Sequence, residues 1–424
     1  MSYRIAGIDV HKSMLAVVIA DVAVQGDYDY ERRQFGTVDS ELHRLAEWLI
    51  EQEVGEVVME STAQYWRPVW AMLEQQWVPA IQQSHREGGP TTAHLHLAQA
   101  HSNRGARGRK NDFRDAERLV RRLVANELVL SFVPDAEQRL WRTLTRRKYS
   151  LRKDRVRLQN GLEALLEEMH IKLSGKVSDL LGLSGRRMLQ ALAEGAADPA
   201  EVAALASAGL RASKEQLCDA LAACRELRPV YRRLLKAELE HVALIEHQME
   251  QLESEIASVL EPHSDAVRRL AEIPGLGVGS AQQIIAEVGP EAAVFPTQKS
   301  LPSWVGVIPG EEVSAGKQHN AHSPQGNRVM RRVLNEAAHA AVKMKGSIYA
   351  VTFRRLVVRM PYKQAIWCIA HRICRMVWIV LRRKVHYEER GPAVNSKGRE
   401  IKLARMVRQL KKAGYRIEAP VVPA

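Results

Sequence analysis

Cysteine is scarce in this chain of 424 residues: four are present, at 218, 224, 368 and 374, with no CxxC pair and no Cys/His ligand spacing. That pattern argues against a zinc site and for reduced core thiols in a cytoplasmic protein. A targeting segment is also missing, because the N-terminus runs straight into strand-like sequence without a basic region, an apolar core and a small-residue cleavage site. No long apolar run is free of charge: the best candidate, Ala365 to Leu381, contains His371, Arg372 and Arg375 and reads as a buried helix with a basic face, so no membrane partner is expected. A glycine-rich phosphate hairpin of the sugar-kinase kind is absent too, since Gly7 to Ser13 holds a single glycine. The last deficit is in acid. With 49 Asp+Glu against 62 Lys+Arg the net charge is +13 and the pI about 9.6, which favours a polyanionic partner, nucleic acid first.

What is present is an ordinary globular composition, 46% apolar, with length for two or three domains. Tyr3 to Asp9 and Leu15 to Val24 read as strands joined by a hairpin, followed by a third strand ending near Phe35. Leu42, Leu45, Trp48 and Leu49 mark a helix, and Glu56 to Met59 a strand that delivers Glu60 at its end. A helix from about Ala63 to Gln76 and a strand over Val78 to Gln82 complete a mixed α/β pattern that suits a ribonuclease H-like core. A polar stretch from Ser84 to Gly108 then breaks the pattern and ends in Arg104, Arg107, Arg109 and Lys110. Beyond it Asp112 and Asp115 share one face of a helix.

The middle of the chain is expected to be helical. Leu144, Leu151, Leu158 and Leu165 recur every seven residues like a coiled-coil seam, and a second long helix opened by Pro229 could pair with it within the chain or between subunits. The first of these helices is crowded with base, including Arg146, Arg147, Lys148 and Arg152, a candidate phosphate-binding surface or a solvated face. Ile273-Pro274-Gly275-Leu276-Gly277 feeds a helix from Ala281, either presenting N–H groups to a phosphate or forming a plain helical corner. Further on come a loop with Ser314, Lys317 and Ser323, then a helix whose first turns carry Arg328, Arg331 and Arg332 against the helix dipole, as a nearby anion would allow.

Asp9, Glu60, Asp112 and Asp115 stand out chemically. Two end apolar strands, where an unpaired charge is costly, and the others share a helix face. Such a set matches a divalent-metal phosphoryl-transfer site.

Gly-Ile-Asp-Val-His-Lys at 7 to 12, Met-Glu-Ser-Thr-Ala-Gln-Tyr-Trp around Glu60, Lys-Asn-Asp-Phe-Arg-Asp-Ala at 110 to 116 and Ile-Pro-Gly-Leu-Gly occur in one order. Gly306-Val307-Ile308-Pro309, Ser314-Ala315-Gly316 and Gly326-Asn327-Arg328 follow in the same order. Together these motifs resemble the DEDD transposases of the insertion-sequence one-hundred-ten family, over roughly residues 5 to 380. Asn111 stands where that family often has Thr, and Val313 where an acidic residue is frequent.

The resemblance implies a RuvC-like domain at 1 to 135, a helical coiled-coil region at 136 to 264 and a mostly helical C-terminal transposase domain at 265 to 424. It implies that Asp9, Glu60, Asp112 and Asp115 bind Mg²⁺, two ions per active site, and that Ser314 is a nucleophile forming a phosphoserine DNA intermediate. It further implies a structured noncoding bridge RNA that pairs with donor and target double-stranded DNA. The protein would be a homo-oligomer, dimer to tetramer, in which one subunit's metal site works with another's serine. Its place would be the cytoplasm of a prokaryote, associated with the nucleoid. A metal-only RuvC-like nuclease or resolvase and a non-catalytic nucleic-acid-binding protein are the competing readings.

Overall fold

The structure, a computed structural model, describes residues 3–23, 28–61, 63–86, 93–100, 111–309, 312–314, 317–320, 323–389 and 404–408, with the side chains of 312–314 and 317–320 excepted. Two compact units divide the chain, Met1–Ala136 and Glu137–Ala424.

The first unit is built on β1 (Arg4–Val10), β2 (Met14–Asp21), β3 (Glu31–Gly36), β4 (Glu56–Ser61), β5 (His94–Ala98) and the short β6 (Leu130–Ser131). Their order in the sheet is β3-β2-β1-β4-β5-β6. The β1–β2, β2–β3 and β5–β6 pairs are antiparallel, and the β1–β4 and β4–β5 pairs parallel. An antiparallel meander continuing into parallel strands is the ribonuclease H-like arrangement. Alternation along β1 sends Ala6, Ile8 and Val10 to one face, where α1 (Asp39–Glu51) packs through Leu42, Leu45 and Leu49. Ile5 and Gly7 go to the other face, under α4 (Asp112–Val124).

Two expectations fail in this unit. Val78 to Gln82 is helix, not strand: α2 (Trp66–Met72) runs through a wide turn at Leu73–Trp77 into α3 (Val78–Arg86). Leu73, Trp77 and Ile81, four apart, are all buried, and the wide turn precedes Pro79, whose ring and missing N–H a regular helix interior would not accept. The parallel strand comes instead from within the supposed polar break. In β5 Leu95 and Leu97 pack on the core while His96 contacts Glu56, Nε2 to Oε1 at 2.6 Å, so a histidine-rich strand hid its own alternation.

The second unit begins with α5 (Ala136–Glu168), followed by α6 (Leu183–Glu194), α7 (Pro199–Ala204), α8 (Lys214–Ala220) and α9 (Pro229–Val259). Helices α5 and α9 pair antiparallel within the chain: Lys148 meets Glu253 at 2.9 Å and Arg155 meets Glu246 at 2.8 Å, so numbers rise along one helix as they fall along the other. Of the heptad leucines, Leu144 and Leu151 are buried, while Leu158 and Leu165 are partly covered.

Then come α10 (Ser264–Ala271), α11 (Val278–Val288), α12 (Ser300–Val305), a hairpin of β7 (Glu312–Ser314) and β8 (Lys317–Asn320), and α13 (Arg328–Ala341), α14 (Ile348–Leu356) and α15 (Tyr362–Arg383). By length and composition α15 could cross a membrane, but it buries Ile366, Ile369, Ile373, Val377 and Leu381 in the core of this unit. Gly275, at φ +90°, lets the turn before α11 touch α13, where a Cβ would lie 2.1 Å from the Ala337 carbonyl oxygen.

Candidate functional site

Asp9 and Glu60 are register partners on adjacent parallel strands, so both project from the same face of the sheet. On that face Gly7 makes room for α4. A Cβ there would lie 2.3 Å from the Ala116 carbonyl oxygen and 2.9 Å from Val120 Cγ2. Seating α4 so closely brings its first turn, with Asp112 and Asp115, over Asp9. Asn111 caps that turn, accepting hydrogen bonds from the Phe113 and Arg114 N–H groups at 3.1 and 3.3 Å.

All four predicted carboxylates are therefore brought together. Asp9 shows the strain most clearly: its pKa is pushed up to about 6, first by burial, and further by Glu60, Asp115 and Asp112, while His11 opposes the rise. Arg118 Nη2 binds Asp115 Oδ1 at 2.6 Å, and His11 Nε2 lies 3.2 Å from both Asp9 Oδ2 and Asp112 Oδ1. Asp9, His11 and Asp112 offer donor atoms that all fall within 4.8 Å of one another. Crowded hard oxygen donors fit a divalent ion.

Neither Arg118 nor His11 was singled out from sequence. Arg118 is three residues after Asp115 and His11 two after Asp9, so spacing could have suggested both.

The predicted basic residues are placed very differently from one another. Arg104, Arg107, Arg109 and Lys110 lie outside the described residues. Arg146, though still exposed, grips the fully buried Glu287 through Nε and Nη2 at 2.8 and 2.9 Å. Arg142 and the cap residue Asn327 share that carboxylate, at 3.5 and 2.9 Å, so α5, α11 and α13 meet on one charge. Arg147, Arg152 and Arg328 are exposed.

Lys148 and Arg152 border a cavity of about 220 Å³ with Tyr149, Gly277, Ser280 and Arg332. Arg332 stacks 3.4 Å from the Tyr149 ring centroid and donates to Gln283 Oε1 at 2.8 Å.

Ser314 ends β7 and pairs with Lys317 across the hairpin. The segments flanking this hairpin are fixed. His371 Nδ1 is 2.9 Å from the Val307 carbonyl oxygen, before the hairpin. After it, Ser323 Oγ donates to the Gly306 carbonyl and accepts from Arg331 Nη1 and Trp367 Nε1, each at 3.1 Å. Arg331 also donates to the Gly306 and Pro324 carbonyls and stacks on Trp367, 4.6 Å from the ring centroid.

Sheet order and site geometry define a ribonuclease H-like domain with a four-carboxylate centre. Comparison with known proteins carries this further. A family model labelled as the DEDD transposase of IS110 matches residues 6–171, and one described as the transposase family of IS116, IS110 and IS902 matches residues 267–351. The chain belongs to the IS110 family of DEDD transposases.

An insertion element IS110 uncharacterized 43.6 kDa protein of Streptomyces coelicolor is 29% identical over 150 residues, 35% of this chain and 36% of that one. A probable family 20 transposase of Pseudomonas aeruginosa is 26% identical over 288 residues, 66% of this chain and 75% of that one. Among solved structures, Thermus thermophilus RuvC aligns over 30% of this chain and 99% of its own, with 14% identity and a TM-score of 0.21. RuvC in complex with Holliday junction substrate aligns likewise, with 12% identity and a TM-score of 0.21.

Proposed function

We propose that this protein is a transposase that cuts and rejoins DNA strands, with Asp9, Glu60, Asp112 and Asp115 holding Mg²⁺ and Ser314 taking the DNA. The observation that carries the reading is the register pair Asp9 and Glu60 lying beneath the α4 turn that bears Asp112 and Asp115, close enough for all three neighbours to push the Asp9 pKa up. Mg²⁺ bound there would withdraw charge from a scissile phosphate and its leaving oxygen.

The chain's own residues do the rest. The carboxylates gather hard oxygen donors on one rigid sheet face. The Ser314 hydroxyl attacks phosphorus, giving up its proton as the Oγ–P bond forms and a P–O bond to deoxyribose breaks, and the departing sugar hydroxyl takes a proton. Rejoining reverses the exchange with a new hydroxyl. Ser314 is favoured over Ser323 because the Ser323 hydroxyl is already engaged by Gly306, Arg331 and Trp367.

In this reading residues 1 to 135 form the RuvC-like domain, 136 to 264 the coiled-coil region and 265 to 424 the transposase domain with the serine. A structured bridge RNA pairs with donor and target DNA, and a homo-oligomer joins one subunit's carboxylates to another's serine. Among the basic residues with described side chains, Arg147, Arg152 and Arg328 are best placed for phosphates, since they are exposed. Lys148 and Arg332 face the cavity beside them.

The test is a denaturation-resistant protein–DNA adduct, formed with RNA and Mg²⁺ supplied. Wild type forms it and Ser314→Ala does not. Cleavage without any adduct would instead identify a metal-only nuclease.

A further inference from the structure

His11 lies in the link between β1 and β2, between the first and third of the four carboxylates. Its Nε2 is closed to solvent and makes an aligned hydrogen bond to neither neighbour, although Asp9 Oδ2 and Asp112 Oδ1 are each 3.2 Å away. That spacing matters because two adjacent donors on an octahedral ion with bonds of about 2.1 Å are about 3 Å apart. A ring nitrogen held this far from two carboxylate oxygens, and out of line with both, is set as a co-ligand would be. The link itself is held, with the His11 N–H donating to the Met14 carbonyl at 3.0 Å, so the ring is carried by ordered backbone.

We propose that His11 is a nitrogen ligand of this centre, alongside Asp9 and Asp112, and that the site is a mixed nitrogen–oxygen site preferring Mn²⁺ or Co²⁺ to Mg²⁺ more strongly than carboxylates alone would. The inference rests on the metal-centre reading of the carboxylates and adds a residue to it. Imidazole favours transition-metal ions over Mg²⁺, which prefers oxygen and water. A carboxylate-only centre gains little from losing or keeping the ring. A mixed centre loses selectivity with it.

Metal binding by the full chain tests this without any DNA. Calorimetric titration of wild type and His11→Gln with Mn²⁺ and with Mg²⁺ should show the Mn²⁺ affinity falling about tenfold or more in the variant, with Mg²⁺ affinity changing about twofold or less. Pulsed electron paramagnetic resonance of Mn²⁺ bound to wild type should show coupling to a ¹⁴N nucleus that His11→Gln removes.

Equal loss of both metals, or no loss of either, overturns nitrogen ligation. Absence of ¹⁴N coupling in wild type overturns it too, whether or not the variant folds. If wild type binds neither metal, the metal-centre reading fails and this inference with it. Binding of both with unchanged selectivity in His11→Gln defeats the inference alone.

Discussion

The two compact units treat charge in opposite ways. In the first, four carboxylates converge where the strands end, close enough that Glu60, Asp115 and Asp112 each push the Asp9 pKa up. In the second, a far longer run of base is largely answered from within: Arg142 and Arg146 by Glu287, Lys148 by Glu253, Arg155 by Glu246, Arg157 by Asp154. The crowding marks chemistry, and the balance marks architecture. A basic run is therefore weaker grounds for a nucleic-acid surface than its length suggests, because helix packing can consume it.

The largest effect is expected at the crowded carboxylates. Asp112→Asn should lower strand cleavage by about a thousandfold or more, equivalent to about 4 kcal/mol of barrier, while leaving circular dichroism unchanged. Cleavage at the wild-type rate would make the cluster incidental.

At the balance, Glu287→Ala should leave Arg146 and Arg142 without their buried partner and destabilise the second unit by about 3–5 kcal/mol, read from denaturant unfolding. A loss well below about 1 kcal/mol would mean that the guanidinium groups find water and that the contact is no keystone. Gly7→Ala should cost about 3 kcal/mol or more in the first unit and pull α4 away from Asp9, because the new methyl would meet the Ala116 carbonyl. An unchanged midpoint would refute the close seating.

The smallest effect concerns pH. With its folded pKa raised from 3.8 to about 6, Asp9 binds its proton more tightly folded than unfolded. Its ionisation therefore destabilises the metal-free first unit above pH 6. Stability from this residue should rise as pH falls through 6 and level off near pH 4, by up to about 3 kcal/mol. Asp9→Asn should flatten that part of the profile.

Much of this was legible in sequence. Strand alternation and the i, i+3 acid pair located all four carboxylates, because their neighbours are apolar in regular periods. The parallel fifth strand was not, since His94 and His96 hide the alternation of Leu95 and Leu97, and Val78 to Gln82 carries β-branched residues that tertiary packing holds in a helix. Glu287 could not be picked out among 49 acidic residues, because its importance lies in contacts 141 and 145 positions away. His11 was visible in its motif, but its place between two carboxylates follows from the approach of α4.

Whether the crowded carboxylates of the first unit hold a divalent ion is decided by the Mg²⁺ dependence of that unit's unfolding. In wild type, Mg²⁺ at a hundred times its dissociation constant should add about 2.7 kcal/mol of stability. Asp9→Asn should gain almost none. Equal stabilisation of both proteins, or none in wild type, would contradict the account.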